Sequence, residues 1–487
     1  MGIAMTQIPA NLLVPGMYQE IDNSLAGAAG DIKKVLIVGY KTAAAPAPAG
    51  VPLQVLSAAK AAQQCGCGSP AALMASAFLD MNRIEECWIL PVAEPEAGTK
   101  WEAPFTVSAA DAVAGNVAIR INGVFLYAGV SAGAASGQIA AAIAARINAE
   151  ETLPVEAAVD TGAPELFTVS AVVKGTAGNR NTVSITGGAG VSVTAGAVTQ
   201  GTLSANLAEL FGGLGGVRYD YFISDFDDEA NIRALSDELE SRYSALRQIG
   251  GRAFLALCGG AGSAGESGSV LARAGGVNSP HIVLIPRLDN PQLPCEWAAR
   301  FAAAAVRILA DDPAANTYDT KVSGIMASAE PDFDTRQKLL EAGVATWRLD
   351  PVGNVLIERL VTSYTENQDG GRDTSYLDVQ VTETVDAVRT CINAEAKKRF
   401  KTWKLAATEE NFGAGSKVMS PGVWRTFLAD LYQTVFIQGR QWCQDFESYK
   451  ASILVEVKAG SKTRLEYRHQ PVLIGQFLTG AGLNQFK

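Results

Sequence analysis

The chain has 487 residues, of which 48% are hydrophobic and 18% charged, and it carries a formal net charge of −10. A chain of this length is too long for a single compact core, so we expect about two to four domains. Nucleic-acid binding usually shows as a basic domain, and the acidic balance therefore argues against a nucleic-acid partner.

Seven cysteines are scattered along the chain. Their odd number favours a reducing compartment over a framework of disulfides. The sequence has no run of about 18 uninterrupted apolar residues, the length that a membrane-spanning helix needs, so no membrane insertion is expected. These features indicate a soluble, cytoplasmic protein of several domains.

The first unusual stretch is IPANLLVPGMYQEIDNS, residues 8–24. Pro9 and Pro15 favour an extended backbone, and the apolar side chains follow no helical period. We interpret residues 1–32 as an N-terminal arm. The side chains available for pairing in it are Leu12, Leu13, Val14, Met17, Tyr18 and Ile21.

An α/β pattern follows the arm. KKVLIVGY (33–40) and CWILPV (87–92) are typical of strands buried on both faces. Between them, Ser69 and Pro70 are suited to be the N-cap and first position of a helix. This arrangement predicts a β-α-α-β unit over residues 33–99.

The alternation stops over residues 100–203, which are rich in Gly, Ala, Val and Thr. Asn122-Gly123 is a strong hairpin signal between two alternating segments. One helix, SGQIAAAIAARINAE, places Ile139, Ile143 and Ile147 on one stripe. We predict a compact β-rich insertion domain.

The α/β pattern resumes over residues 204–366, with strands at YDYFISDF, RAFLALC and HIVLIPRL. We expect these strands to share one sheet with KKVLIVGY, so 33–99 and 204–366 would form one discontinuous core domain. The predicted fold class is an α/β core, α+β overall, interrupted by the insertion and followed by a C-terminal α+β domain.

Residues 367–460 are predicted to form that C-terminal domain. A long helix in it would align an apolar stripe, and a second helix with an aromatic face begins after Pro421. Further on, ASILVEVKAG alternates like a half-buried hairpin strand. The stripe of the long helix consists of Leu377, Val381, Val385, Val388, Ile392 and Phe400.

Residues 461–487 are predicted to be a C-terminal strand arm. PVLIGQF (471–477) is apolar on both strand faces, as in the middle of a sheet. An exposed strand of this kind would aggregate unless it is paired. Either the two ends of the chain pair within one subunit, or they add strands to neighbouring subunits. The side chains concerned are Leu465, Tyr467, Val472, Leu473, Ile474 and Phe477.

The sharpest enzyme-like signal is LALCGGAGSAGESG, in which Gly260, Gly262 and Gly265 satisfy G-x-G-x-x-G after a strand. A dinucleotide site also needs a long helix opening at the glycines, and ESGSVLARAGG is short and rich in glycine. His281 and His469 are the only histidines, which disfavours a multi-histidine metal site or a histidine-based triad. We therefore predict no catalytic residue, metal or cofactor.

A basic cluster stands out against the acidic average at the end of the long helix. It consists of Lys397, Lys398, Arg399, Lys401 and Lys404. Cations at this position interact favourably with the helix dipole, which is a structural explanation. The functional explanation is docking to an acidic protein surface.

Several segments, taken in order, resemble the Mu-like contractile-tail sheath proteins of phages, prophages and phage-tail-like particles. They are IPANLLVPGMYQEIDNS, KKVLIVGY, GVNSPHIVLIP, SYLDVQVTETVDAVR, VMSPGVWR and YRHQPVLIGQF. The resemblance extends from one end of the chain to the other and includes the insertion, which in this family is a protruding outer domain.

The resemblance implies a structural subunit rather than an enzyme. Subunits of the family form stacked hexameric rings around an inner tube, on a baseplate and below a tail terminator. Terminal arms add strands to neighbours, and contraction drives the tube through a target cell envelope with energy stored at assembly. The implied location is the virion tail, assembled in the bacterial cytoplasm. We assign tube contact to the basic cluster and the aromatic helix after Pro421.

Two alternatives remain at this point. One is a soluble α/β enzyme that binds a dinucleotide at the Gly260–Gly265 loop. The other is a non-contractile tail or capsid protein that shares strand exchange.

Overall fold

The computed structural model describes residues 32–188, 190–263, 265–410, 412 and 415–486. Helix α2 begins as predicted, because the Ser69 side chain accepts a hydrogen bond from the Ala72 amide and Pro70 occupies the first helical position. The elements of this first part are β1 (Lys34–Tyr40), β2 (Leu53–Gln54), α1 (Ala58–Cys65), α2 (Pro70–Met81) and β3 (Glu86–Val92).

The segment that follows is rich in strands. Its elements are β4 (Glu102–Ala109), β5 (Gly115–Ile121), β6 (Val124–Val130), α3 (Ser136–Asn148), β7 (Val155–Val159), β8 (Leu166–Ala171), a 3-10 turn (Thr176–Arg180), β9 (Val183–Thr186) and β10 (Val191–Ala195). Asn122 and Gly123 have φ values of 49° and 86°, as the two-residue turn between β5 and β6 requires. The predicted stripe of α3 is buried among the strands.

The chain then returns to alternating strands and helices. They are α4 (Ala208–Phe211), β11 (Tyr221–Ser224), α5 (Glu229–Tyr243), β12 (Arg252–Cys258), α6 (Val270–Ala274), β13 (Ile282–Leu288), α7 (Pro294–Leu309), β14 (Lys321–Val322), α8 (Phe333–Glu341), β15 (Thr346–Leu349) and β16 (Val355–Arg359).

One six-stranded sheet joins the strands that precede and follow the insertion. Its order is β13-β12-β11-β1-β3-β2, and β1 is parallel to both β3 and β11. Parallel strands need cover on both faces. Helices α2 and α7 pack on one face and α4, α5 and α6 on the other. The fold is therefore mixed α/β, and the domain boundaries given above stay predictions.

The last part of the chain is built from one long helix, shorter helices and short strands. They are α9 (Val379–Phe400), β17 (Lys404–Leu405), β18 (Val418–Met419), α10 (Pro421–Leu431), a π-helical segment (Tyr432–Gly439), β19 (Cys443–Gln444), α11 (Phe446–Ser452), β20 (Leu454–Val457), β21 (Leu465–Arg468) and β22 (Val472–Leu473). Across the described ranges, no helix has both the length and the apolar character to cross a membrane.

Helix α9 faces the core differently from the prediction. Val388 and Ile392 are buried as expected, but Val381 and Val385 are only half-buried. The first turns bury polar residues instead. The physical reason is a set of arginines on the core: Arg252 Nε donates to Thr382 Oγ1 at 2.7 Å, and Arg218 Nη2 lies 2.5 Å from Asp386 Oδ2. Buried charged groups such as Arg252 and Asp386 require such partners, so the polar side of the helix turns inward.

A second buried ion cluster fixes the insertion to the core. Arg180, at the end of the 3-10 turn, donates to the carbonyl oxygen of Asp225 at 2.6 Å. Its guanidinium also lies 3.0 Å from the Asp225 carboxylate and 3.5 Å from that of Asp227. Burial raises the pKa of Asp225 to about 6, although the positive charge of Arg180 acts to lower it. The cluster lies directly after β11, at the carboxyl edge of the sheet.

We expect Arg180→Ala to lower the free energy of unfolding by about 3–5 kcal/mol at pH 7.5, since it leaves a buried carboxylate without its cation. The difference in the free energy of unfolding between the variant and the wild type should become smaller toward pH 5.5. Loss of the cation raises the folded-state pKa of Asp225 further, and an acid with a raised folded pKa regains stability as it is protonated. Thermal unfolding at several pH values measures both effects.

The matched control is Arg233→Ala, which removes an exposed pair with Glu229 and should change stability by less than about 1 kcal/mol. The double variant Arg180→Met with Asp225→Asn should recover most of the loss. If Arg180→Ala were as stable as Arg233→Ala, the anchoring role of the Arg180 cluster would be contradicted.

Candidate subunit interface

The end of the chain forms two separate two-stranded sheets. Strand β22 pairs antiparallel with β19 through only two residue pairs, Cys443 with Leu473 and Gln444 with Val472. Strands β20 and β21 form the predicted hairpin, from Leu454–Arg468 to Val457–Leu465. An isolated two-stranded sheet is marginally stable in water. Both pieces therefore present strand edges to which a further strand can be added.

The predicted C-terminal contact residues fall into three places. Leu465 and Tyr467 lie in β21, Val472 and Leu473 form β22, and the Ile474 amide extends the β22 pairing by donating to the Trp442 carbonyl at 3.0 Å. Phe477 lies beyond the strands and is 84% exposed.

The expectation that 471–477 lies in the middle of a sheet is wrong for the single chain. Residues 471–474 are half-buried, and Gly475 and Phe477 are exposed. The reason is that β19 pairs with β22 along one side, and within the described residues no third strand joins this sheet. Within the described residues, the apolar side chains of 471–474 are therefore only partly covered.

The tail after β22 crosses to the loop around residue 315. Gln476 Nε2 donates to the Ala314 carbonyl at 2.8 Å, and Asn316 Nδ2 donates to the Phe477 carbonyl at 3.2 Å. Farther along the tail, two large apolar side chains face solvent, with Leu483 85% and Phe486 98% exposed. Exposed apolar side chains on a terminal segment are a marker of a surface that contacts another molecule.

The predicted N-terminal contact residues lie outside the described residues. These are Leu12, Leu13, Val14, Met17, Tyr18 and Ile21, so their role stays a prediction. The first described residue, Ile32, is 61% exposed and leads directly into β1 at the centre of the sheet.

The basic cluster lies on the surface at the end of α9 and just after it. Arg399 is engaged within the subunit: its guanidinium lies 3.2 Å from Glu395 and 3.5 Å from Asp430 and covers the Phe427 ring at 5.5 Å. Lys398 has only a distant pair, 3.9 Å from Glu395. For Lys397, Lys401 and Lys404, the described part of the chain supplies no acid within ion-pair distance.

The aromatic helix after Pro421 is mostly unavailable for contact with a tube. Phe427, Tyr432 and Phe436 are at most 4% exposed and form the core of the C-terminal region. The broad aromatic face predicted from the sequence is thus a core face. Trp424 is the exception, because it is only half-buried and packs 5.2 Å from the Tyr467 ring.

Phe400 completes a cluster with Trp424 and Phe427, at ring distances of 5.9 and 5.0 Å. An aromatic cluster therefore connects the basic end of α9 to the terminal hairpin. The sequence did not indicate this link, because it joins residues more than 60 positions apart.

The glycine loop does not have the geometry of a dinucleotide site. Helix α6, which follows it, is only five residues long. Gly262 has φ +58°, and a Cβ atom there would lie 2.3 Å from the Cβ of Ser269. The Ser269 hydroxyl donates to the Ser263 carbonyl and caps α6. The loop is closed on itself by these contacts.

The usual ligand crevice of a parallel sheet lies at its carboxyl edge where the strand order reverses, here between β1 and β11. The Arg180 cluster of the insertion lies at this edge, and a cavity of about 20 Å³ remains beside it, room for roughly one water molecule.

The two histidines have structural partners. His281 is buried between Glu240, 3.0 Å from Nε2, and Arg252, 3.2 Å from Nδ1, and burial lowers its pKa. His469 Nδ1 lies 3.1 Å from the Tyr449 hydroxyl. Of the residues whose positions are described, no three histidines, cysteines or acids are grouped so as to hold a metal.

Comparison with known proteins gives one full-length sequence relationship. The chain is 28% identical over 497 residues to the Mu-like prophage FluMu tail sheath protein of Haemophilus influenzae, and the alignment covers 100% of both proteins. No model of a protein family matches the chain.

Among solved structures, the chain is similar to the sheath tail protein of Desulfitobacterium hafniense, with 10% identity, a TM-score of 0.46, and coverage of 94% of this chain and 100% of the other. It is also similar to the contracted helical sheath of the anti-feeding prophage, with 11% identity, a TM-score of 0.46, and coverage of 97% and 99%. The full-length relationship to the Haemophilus protein confirms that this chain resembles the Mu-like tail sheath proteins from end to end.

Proposed function

We propose that the protein is the structural subunit of a contractile tail sheath. Its copies form stacked hexameric rings around an inner tube, and contraction drives the tube through a target cell envelope. The observation that carries the proposal is the C-terminal strand, which is apolar on both faces and, among the residues that the structure describes, is paired along one side only. The full-length similarity to a tail sheath protein supports it.

Strand addition between copies follows from the unfilled sheet edges. In the proposed assembly, the N-terminal arm of one subunit adds a strand to β19–β22 or to the β20–β21 hairpin of a neighbour, and the part of the C-terminal arm beyond β22 reaches another neighbour. Backbone hydrogen bonds supply affinity, and the alternate apolar side chains supply specificity. Such a contact uses different surfaces on the two partners, which generates rings and helical polymers rather than closed dimers.

The basic cluster is the candidate for tube contact. Lys397, Lys401 and Lys404 are exposed and lie together at one end of the C-terminal region, whereas the chain as a whole is acidic. Charge complementarity of this kind steers association and fixes register more than it adds affinity. The partner in this proposal is an acidic face of the inner tube protein.

The remaining partners follow from the sheath assignment. The polymer starts on a baseplate and ends at a tail terminator, and neither nucleic acid nor a membrane is a direct partner. The protein acts as a structural component of the virion tail, assembled in the bacterial cytoplasm, and its energy source is the contact area gained on contraction rather than catalysis.

Deletion of residues 1–24 tests the arm. We expect a monomer with unchanged Tm that no longer polymerises, because the deletion removes the added strand while every described element stays intact. Negative-stain electron microscopy and sedimentation of the full-length and truncated chains measure this.

The matched control is deletion of residues 1–6, which leaves all six candidate arm residues in place and should still give hollow polymers. Polymers from the longer deletion would refute the arm. Polymers of the full-length chain that never shorten would point to a non-contractile tail component, and exclusively monodisperse particles would contradict the sheath.

Charge reversal tests the tube contact. The variant Lys397→Glu, Lys398→Glu and Lys401→Glu avoids Arg399, whose packing on Phe427 belongs to the fold. If three exposed contacts of about 0.5 kcal/mol each are lost, affinity for the tube falls about tenfold. Cosedimentation with the cognate inner tube at two salt concentrations measures it, and the wild-type affinity should fall with salt.

The control reverses three exposed lysines of the α/β core, Lys60, Lys321 and Lys338, for the same change in net charge. It should bind the tube like the wild type. If both triple variants lost the same affinity for the tube, the assignment of this cluster as the tube contact would be refuted.

A further inference from the structure

The root of the C-terminal arm, residues 469–474, is held mainly by side chains rather than by a long β-ladder. The pairing of β22 with β19 spans two residue pairs. In addition, Gln444 Nε2 donates to the Leu473 carbonyl at 3.0 Å, and the Gln470 amide donates to Ser452 Oγ at 3.0 Å. A ladder this short does not fix the direction of a strand by itself.

The Tyr432 hydroxyl bridges the two strands. It donates to the Gln444 carbonyl at 2.6 Å and accepts a hydrogen bond from the Val472 amide at 3.0 Å. The Tyr432 side chain is completely buried, and burial raises its pKa to about 12, so the hydroxyl keeps the proton that it donates at neutral pH. Tyr432 therefore contacts the backbone of both β19 and β22.

A second tyrosine, Tyr449, links Tyr432 to His469 at the start of the arm root. The rings of Tyr432 and Tyr449 are stacked with centroids 3.5 Å apart and planes 5° from parallel. The Tyr449 hydroxyl lies 3.1 Å from His469 Nδ1, directly before the root turns into β22. We call Tyr432, Tyr449 and His469 the aromatic latch. It joins the π-helical segment, α11 and the arm root.

The backbone geometry at Tyr432 supports a positional role. The α-helix α10 changes to a π-helix at this residue. Such π-helical insertions are rare and occur frequently at functional sites.

We propose that the aromatic latch sets the position of the arm root and so presents the free edge of β22 to a strand from a second copy of this chain. The inference rests on the proposed function, since the second copy is the sheath neighbour. Tyr432 acts as a positioning residue: it makes no contact across the interface but orients the strand that does.

The test is Tyr432→Phe in the full-length chain, which keeps the ring stack and removes only the hydroxyl. We expect the amides of residues 469–474 to exchange with deuterium at least about tenfold faster in the unpolymerised fraction, while β12 exchanges as in the wild type. The critical concentration for polymerisation should rise by a similar factor. Hydrogen exchange with mass spectrometry and sedimentation give the two readouts.

The matched control is Tyr221→Phe, which also removes a buried, hydrogen-bonded hydroxyl, the partner of Glu383 in the α/β core. It should leave both the exchange at 469–474 and the critical concentration unchanged. Equal effects of the two variants, or normal exchange at 469–474 in Tyr432→Phe, would overturn the latch.

The two proposals fail in different ways. If the wild type polymerises and Tyr432→Phe has the same critical concentration, the latch is refuted while the sheath assignment stands. If the wild type does not polymerise at all, the sheath assignment fails, and the exchange rates alone decide whether Tyr432 positions the strand.

Discussion

Backbone amide and carbonyl groups along a strand need hydrogen-bond partners, and this requirement shapes the end of the chain. The six-stranded sheet of the core meets most of it internally, because four of its strands have a partner on each side and helices cover both faces. The C-terminal sheets meet less of it, since among the described residues each has two short strands, both of which are edge strands. An edge of this kind either is protected or acquires a partner. The side chains of β22 are apolar, and the tail beyond it exposes Phe477, Leu483 and Phe486, which favours a partner.

A subunit that exchanges strands benefits from being rigid everywhere else. Two buried ion clusters provide this rigidity. Arg180 ties the insertion to Asp225 at the edge of the sheet, and Arg252 and Arg218 tie the sheet to the first turns of α9. Breaking a buried pair costs much more than breaking an exposed one. In the proposed sheath, movement between subunits would therefore concentrate in the arms and in the surfaces that slide past one another.

Much of the architecture could be predicted because its signals are local. The buried strands, the Ser69-Pro70 helix start and the Asn122-Gly123 turn each depend on a few neighbouring residues. The inward face of α9 could not be predicted, because its polar side chains are the partners of Arg252 and Arg218, which lie more than 100 positions earlier in the chain. The role of the aromatic residues after Pro421 was misjudged for a related reason: periodicity shows that a face is apolar but not whether the chain covers it.

The candidate interface was predictable in part. The two-sided apolar pattern of 471–477 marked the segment that contains β22, and the basic residues after Ile392 were visible as a cluster, but the roles of both in an interface stay predictions. The stack of Tyr432 on Tyr449 and the hydroxyl contact with Val472 were not, since they depend on three short elements meeting at one point.

A parallel α/β sheet normally offers a crevice at the carboxyl ends of its strands, and in this chain the insertion fills it with Arg180. The position where such a sheet usually binds a ligand thus holds the contact between the sheet and residues 176–180 of the predicted insertion. In the proposed sheath, the free energy of contraction comes from contacts between subunits. The arms keep neighbours joined by backbone hydrogen bonds while those contacts change.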